Sequence, residues 1–406
     1  MPALLVSAVL LLVSACLKNE APSASEEAEA AVAEAAQLTS AREAAERLRE
    51  ARALAERLTD RQLAAQVIMA GIDACGPLSP GERERLRLIP AGAVMLFRKN
   101  LNTDAGSVTR MTRELCEVIA GAISGSEAKS AAAWMEPFIA VDHEGGDVRR
   151  FTDDIEALPA PLSYWELALK EGRLRALLAV QADAERSAAQ IAALGITMNL
   201  APLAETLTDE NRDFLGSRSY GPDPVFMAEA AAAFMRGMKA AGVACVVKHF
   251  PGNANADPHV TTPVFKGGPD ALQTAVAPFA VLFASAPPAA VMVSHIIVPE
   301  WDTSLNASLS ETAMRSKLRG ELGFNGIILA DDFSMGAVSG GASPEETAVA
   351  ALRAGAGMVM AWPRNLYSVH NAILAALADG SLPRARLQDA AARIIGEKLR
   401  FAAMRR

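Results

Sequence analysis

The segment 248–259 holds the densest set of side chains in this chain that could carry out chemistry. It reads Lys-His-Phe-Pro-Gly-Asn-Ala-Asn-Ala-Asp-Pro-His. Lys248 and His249 follow a short, β-branched apolar run, which predicts a strand buried on both faces that ends at this pair. Asp257 and His259 stand in the polar loop after the Pro-Gly break. A cation, two imidazoles and a carboxylate at the end of a buried strand can bind a polar substrate and exchange protons with it.

Eight short apolar runs alternate with amphipathic, alanine-rich helical patterns along the chain. This order predicts an α/β fold in which a parallel sheet closes as a single (β/α)8 TIM-type barrel. An open, doubly wound sheet is the alternative, but no Gly-x-Gly-x-x-Gly fingerprint follows any run. The predicted strands are 65–69, 93–97, 138–141, 196–200, 243–247, 290–293, 326–329 and 358–361, and the predicted helices are 105–120, 166–194, 224–241, 269–286, 310–322, 345–354 and Arg384–Met404.

Polar residues follow several of the predicted strands, which is where a barrel carries its active site. They are Asp142, Lys248, His249, His295 and Asp331. Each also has a purely structural interpretation, because a carboxylate can bind backbone groups at a strand end and a Lys-His pair can join a structural ion pair. In the same way, an Asp-x-His sequence can simply cap a turn.

The composition excludes some classes of function. A net charge of −8 gives no electrostatic support for binding nucleic acid. The four cysteines have no spacing typical of a zinc site or a redox pair. Cys245 lies within an apolar run, which predicts a small buried hydrophobic side chain.

The N-terminus carries an apolar run over residues 3–15, too short to span a bilayer and typical of a signal-peptide core. It ends Val-Ser-Ala-Cys, which resembles the bacterial lipoprotein cleavage box, although no Lys or Arg precedes the run. We expect a signal peptide over 1–16 with a lipid on Cys16, and an exported protein held on a membrane, facing the periplasm or cell exterior. A signal without lipid, or no signal, is the alternative. An Ala/Glu-rich tether and a leading helix (17–58, helical from Ser40) precede a catalytic barrel over 59–406.

Five motifs, in order and with similar spacing over roughly residues 60–400, resemble the signatures of family 3 glycoside hydrolases. They are similar to those of the bacterial β-N-acetylglucosaminidase branch that acts in cell-wall recycling. The resemblance implies a single (β/α)8 catalytic domain that retains anomeric configuration. We also expect a monomer that needs no metal or cofactor. The motifs are Asp142-His-Glu-Gly-Gly, Gly216-Ser-Arg-Ser-Tyr-Gly, Lys248-His-Phe-Pro-Gly, Asp257-Pro-His259 and Ala330-Asp-Asp-Phe-Ser-Met.

The resemblance also implies a role for each matching residue. Asp331 would be the catalytic nucleophile, and His259 the acid/base with Asp257 as its partner. The implied sugar-binding positions are Asp142, Arg150, Arg218, Lys248 and His249. Chemistry agrees, because retention needs a carboxylate that forms a glycosyl-enzyme and a second group that donates and then accepts a proton. A histidine suits the second task near neutral pH, and an aspartate bonded to its ring can fix the tautomer.

Two departures from the family pattern bear on the site. Asn253-Ala254 stand where the family usually has His-Gly, and the loop from Gly252 to the Asp-x-His dyad is about two residues shorter. The family's Glu-Gly-Gly-Arg is here Glu-Gly-Gly-Asp147, which removes one cation that Arg149 or Arg150 could replace.

The leading hypothesis is a retaining, exo-acting β-N-acetylglucosaminidase that removes terminal GlcNAc from peptidoglycan fragments or chitooligosaccharides. A β-glucosidase or a glycoside phosphorylase of the same fold is an alternative. A metal-dependent barrel hydrolase using His249, His295 and Asp331 is a second class, although the first strand lacks the His-x-His that such enzymes carry. A non-catalytic sugar-binding lipoprotein is the third.

Overall fold

Eight parallel strands form a barrel in the computed structural model, which describes residues 24–125, 132–151, 155–253, 262–334 and 342–405. The strands pair in the order of the sequence, and β1 also pairs with β8. Backbone hydrogen bonds of 3.0 Å from Ala330 to Met358 and from Met358 to Ile328 join β7 to β8, so the α/β barrel prediction is confirmed. The strands are β1 (Ile68–Gly71), β2 (Ala93–Leu96), β3 (Phe138–Val141), β4 (Met198–Asn199), β5 (Ala244–Phe250), β6 (Ala290–Val293), β7 (Ile327–Ala330) and β8 (Val359–Ala361).

Helices alternate with the strands, and their boundaries differ in places from the predictions. The predicted helix 166–194 is two helices, because Gly172 at φ 95° separates them. Ala65 and Gln66, predicted in the first strand, end a helix. The helices are Ala24–Glu56, Asp60–Gln66, Pro80–Leu88, Arg98–Leu101, Ala105–Ser124, Pro161–Glu171, Arg173–Ala193, Arg212–Leu215, Pro224–Ala240, Gly268–Ser285, Pro344–Ala354, Leu366–Ala378 and Arg384–Met404, with a π-helical segment at Thr312–Glu321.

The leading helix runs from Ala24 to Glu56 and is therefore longer than the helix predicted from Ser40. It packs on the C-terminal helix Arg384–Met404. Ala51 is fully buried, so this end of the leading helix belongs to the hydrophobic core. No helix within the described ranges is long and apolar enough to cross a bilayer.

A capping box starts the short helix that leads into β1. The Gln62 amide donates to Thr59 Oγ1 at 3.3 Å, and the Thr59 amide donates to Gln62 Oε1 at 3.0 Å. This exchange satisfies backbone donors that the first helical turn leaves unpaired. The chain therefore enters the barrel at the Thr-Asp-Arg-Gln sequence.

Candidate active site

Four charged side chains form one continuous network at the carboxyl ends of β3 to β5. Lys248 Nζ donates to Asp142 Oδ1 at 2.6 Å and lies 2.7 Å from Glu144 Oε1. Arg218 holds the same Glu144 carboxylate with two hydrogen bonds of 2.8 and 2.9 Å. The predicted positions Asp142, Lys248 and Arg218 are thus brought together, with Glu144 as the group that joins them.

Burial makes each charge in this network depend on its oppositely charged partners. The side chains of Glu144 and Lys248 are only 1% and 4% exposed. Burial alone would raise the pKa of Glu144, but Lys248 and Arg218 lower it below the usual carboxylate range. Burial likewise opposes the charge of Lys248, yet Asp142 and Glu144 hold its pKa above normal. Glu144 and Lys248 are therefore charged at neutral pH, and each needs its partners because an unpaired buried charge is costly.

The loop after β3 adds a second arginine to this network, bound to Asp142. Arg150 Nη2 donates to Asp142 Oδ2 at 3.2 Å, so of the two arginines that could replace the missing cation, Arg150 contacts the network. Asp147 accepts a 2.7 Å hydrogen bond from Ser217, next to Arg218. The aspartate that stands in place of the family arginine therefore anchors the segment that carries Arg218.

Gly145 and Gly146, both with positive φ, allow this loop to turn sharply. Gly145 has φ 103°, and a Cβ there would lie 2.3 Å from the Pro159 carbonyl oxygen. His143, one residue before Glu144, exchanges hydrogen bonds of 2.9 and 2.8 Å with the Asn199 side chain of β4. Both bonds use the His143 backbone and leave its ring out. The ring is buried and meets Phe151 edge-on. Burial and the nearby positive charges of Arg149 and Arg150 lower the pKa of the ring to about 4. His143 is therefore a neutral packing residue.

His249 is held by a carboxylate that the sequence analysis missed. Glu205 Oε1 lies 2.7 Å from His249 Nδ1, and Glu205 Oε2 accepts from the Asn253 backbone amide at 2.5 Å. The Asn253 side-chain amide also reaches Glu205 Oε1 at 3.3 Å. The asparagine that departs from the family pattern therefore ties the chain, three residues after β5, to Glu205. The sequence did hint at this role, because Glu205 is the one charged residue in the apolar stretch that follows the predicted strand 196–200.

Asp331 lies one residue beyond β7 and is buried, with 8% of the residue exposed. Its backbone amide donates to the Val293 carbonyl at 3.1 Å, and its Oδ1 accepts from the Asp332 amide at 2.8 Å. His295 beside it bonds Ser308 through Nδ1 and the Asp332 carbonyl through Nε2. These bonds hold the Asp331 backbone rigidly between β6 and β8.

Other sequence predictions have different outcomes. Lys248 and His249 belong to β5 itself, because pairing with β6 continues to Phe250. Cys245 is buried as expected. Asp257, His259 and Cys16 lie outside the described residues.

The described residues do not bring together three His, Cys, Asp or Glu side chains as a metal site requires. His249 and His295, which a metal-dependent hydrolase would use, are engaged with Glu205 and with Ser308.

Comparison with known proteins finds a matching family model and similar sequences. Residues 79–396 match the model of the glycosyl hydrolase family 3 N-terminal domain. The chain is 33% identical over 294 residues to a β-hexosaminidase of Idiomarina loihiensis, covering 71% of this chain and 82% of the relative. A β-hexosaminidase of Neisseria meningitidis is 31% identical over 297 residues, covering 72% of this chain and 77% of the relative.

Solved structures agree with these sequence matches. A family 3 β-N-acetylglucosaminidase from Paenibacillus superposes with a TM-score of 0.76 at 28% identity, covering 85% of this chain. The present chain spans 63% of the length of that protein. A β-N-acetylhexosaminidase from Beutenbergia cavernae gives a TM-score of 0.70 at 26% identity, covering 84% of this chain and 98% of the other.

Proposed function

Because the chain belongs to glycoside hydrolase family 3, we propose that it is a retaining, exo-acting β-N-acetylglucosaminidase. Its proposed substrates are peptidoglycan fragments or chitooligosaccharides that end in a non-reducing GlcNAc. Support comes from relatives that bear the names β-hexosaminidase and β-N-acetylglucosaminidase. The observation that carries the proposal is the position of Asp331 after β7, across the barrel mouth from Asp142 after β3.

In the proposed mechanism, Asp331 attacks the anomeric carbon and forms a covalent glycosyl-enzyme. His259 donates a proton to the leaving oxygen and then accepts one from the attacking water, and Asp257 orients its ring. Asp142, Arg150, Arg218, Lys248 and His249 bind the sugar hydroxyls. The ion pairs of Lys248 with Asp142 and Glu144 are largely buried and would close this end of the site. A closed end favours a terminal sugar over the interior of a chain.

The first experiment compares hydrolysis of an aryl β-N-acetylglucosaminide with that of the matching β-glucoside, with and without phosphate. Asp331→Asn should lower kcat by on the order of 10⁴-fold or more, the scale on which nucleophile losses are measured. Asp209→Asn, whose carboxylate is fully exposed, is the matched control and should retain normal activity. His259→Ala should lose most turnover.

Each other result redirects the assignment. Preference for the glucoside would overturn the N-acetyl substrate. Release of sugar phosphate would make the protein a phosphorylase, for which a histidine acid/base has the merit of not repelling a phosphate anion. Binding of GlcNAc without turnover of either substrate would favour a sugar-binding protein. Full activity of Asp331→Asn would refute the proposed nucleophile.

We propose that the protein is an exported lipoprotein anchored to a membrane through Cys16. The support is the apolar run that ends in a lipobox-like sequence. In cells fed labelled palmitate, the wild-type chain should carry the label and sediment with membranes, whereas Cys16→Ser should do neither. Unlabelled wild-type protein in the soluble fraction would refute the anchor.

A further inference from the structure

The opposite side of the barrel mouth contains a cavity that the proposed mechanism does not use. Its volume is about 430 Å³, within the roughly 300–1,000 Å³ typical of small-molecule sites. Its walls come from the carboxyl ends of β7, β8, β1 and β2, which are neighbours in the barrel. We call this the aromatic half of the mouth, after Phe97 and Trp362, and the network around Glu144 the polar half.

Trp362 is the best-fixed side chain of this cavity. Its Nε1 donates to both carboxylate oxygens of Asp332, at 3.0 and 3.1 Å, and reaches Ser334 Oγ at 3.2 Å. Phe97 meets the indole edge-on with ring centroids 5.2 Å apart. A Cβ on Gly71 would lie 2.4 Å from the indole Cε3, so the indole packs directly on this backbone. The ring is thus held in place beside the residue that follows Asp331.

The barrel topology indicates which part of a bound substrate would lie near the Trp362 indole. β3 and β7 are four strands apart in a ring of eight, so Asp142 and Asp331 stand on opposite sides of the mouth. A sugar held at its non-reducing end by Asp142, with its anomeric carbon at Asp331, has its long axis directed from β3 to β7. A group attached to the anomeric carbon in the β configuration extends along that axis. Because Asp331 attacks from the face opposite the departing oxygen, this group passes over Asp331 to the β7 side of the mouth. The end of β8, which carries Trp362, is one of the two strand ends next to β7 there.

We propose that Trp362 is the platform of a leaving-group subsite that binds the pyranose ring next to the terminal GlcNAc. This inference rests on the proposed function, and it attributes the preference of the enzyme for a carbohydrate leaving group to Trp362. The apolar face of a pyranose ring can lie on an indole that is already fixed, so little conformational freedom is lost on binding. Lys99 and Asp73, ion-paired at 3.0 Å on the exposed rim, offer a donor and an acceptor to its hydroxyls.

The same subsite has a second consequence in a retaining enzyme. A sugar on Trp362 can replace water as the acceptor. Its hydroxyl oxygen then bonds to the anomeric carbon, the ester bond to Asp331 breaks, and the hydroxyl proton passes to the base. Trp362 therefore also controls how much glycosyl-enzyme is transferred to sugar instead of water.

The test compares N,N′-diacetylchitobiose with methyl β-N-acetylglucosaminide, whose methyl group is too small to reach Trp362. Trp362→Ala should lower kcat/KM for the disaccharide by about 10- to 100-fold more than for the methyl glycoside. The inhibition constant of free GlcNAc, which fills only the terminal-sugar site, should change less than about twofold. Transfer to added GlcNAc acceptor should fall in parallel with the loss for the disaccharide.

Two further variants make the outcome decisive. Trp362→Phe keeps a ring but loses the bond to Asp332, so it should recover most of the disaccharide rate. Trp134→Ala, a half-buried tryptophan before β3 at the other end of the barrel, is the matched control. Equal losses for both substrates and for GlcNAc inhibition, no loss at all, or a Phe variant as poor as the Ala variant would overturn the subsite. If the wild type hydrolyses neither substrate, the proposed function fails as well.

Discussion

The two halves of the barrel mouth hold their side chains by different physical means. In the polar half, Lys248, Glu144 and Arg218 are charged groups taken out of water, and each is fixed by direct contact with an opposite charge. In the aromatic half, Trp362 is half-buried, and its neighbouring ion pair, Lys99 with Asp73, stays in solvent. The first half depends on every member, whereas the second depends mainly on shape.

This difference explains how one barrel can be highly selective for the terminal sugar and less selective for the sugar of the leaving group. Buried charges tolerate few geometries, because a missing partner leaves an uncompensated charge in a poorly solvated place. An aromatic platform accepts any ring of suitable width, because stacking is less directional than an ion pair. We therefore expect substitutions in the polar half to cost both stability and activity, and those in the aromatic half to alter selectivity.

The largest effect is expected for Glu144→Gln, which removes the carboxylate that Lys248 and Arg218 share. Breaking a buried ion pair should lower the free energy of unfolding by about 3–5 kcal/mol, with kcat/KM falling as the cations lose their positions. Denaturant unfolding followed by circular dichroism measures this. Glu311→Gln, which disrupts an exposed pair with Arg315, is the control. Equal losses in both variants would refute the contrast between buried and exposed charge.

A pH effect of intermediate size is expected from His143 behind the polar half. Its pKa is about 4 in the folded protein against 6.5 for a free histidine, so the unfolded chain binds a proton first as pH falls. The stability contribution is complete above pH 6.5 and is lost between pH 6.5 and 4, by about 3 kcal/mol. As the pH falls through this window, the free energy of unfolding should drop by this amount in the wild type and not in His143→Leu. Parallel curves would contradict the assignment.

In the aromatic half, Gly71→Ala should act through the indole. The new Cβ would collide with Trp362 and displace it, at a cost of about 1–3 kcal/mol for overpacking. We expect kcat/KM to fall several-fold for the disaccharide and to stay unchanged for the methyl glycoside. Gly81→Ala, which adds a Cβ in open space, serves as the control. Loss for both substrates would show that the displacement reaches Asp331.

The smallest effect is expected for Lys99→Ala on the rim. An exposed ion pair contributes about 0–1 kcal/mol and is screened by salt. Thermal unfolding of this variant should match the wild type at high salt, with at most a small rise in KM for the disaccharide. A loss comparable to that of Glu144→Gln would erase the distinction between the two halves.

Much of the fold could be predicted, because buried strands and amphipathic helices have local sequence periods. The C-terminal helix begins and ends at the predicted residues, Arg384 and Met404. The end of β5 was harder to predict from the sequence, because pairing with β6, not the local sequence, extends the strand to Phe250. Glu205 was missed because its partners, His249 and Asn253, lie 44 and 48 residues away.

The sequence by itself determined the kinds of residues that stand at each strand end, since strand periodicity and chain breaks are local properties. It also carried the family resemblance. The tertiary structure decided which charges meet: Asp142 and Lys248 are 106 positions apart, and closure of the barrel brings them to 2.6 Å. It likewise decided that Trp362 is anchored by Asp332, on the neighbouring strand end. Such pairings follow from strand register and burial, which depend on the whole chain folding around one core.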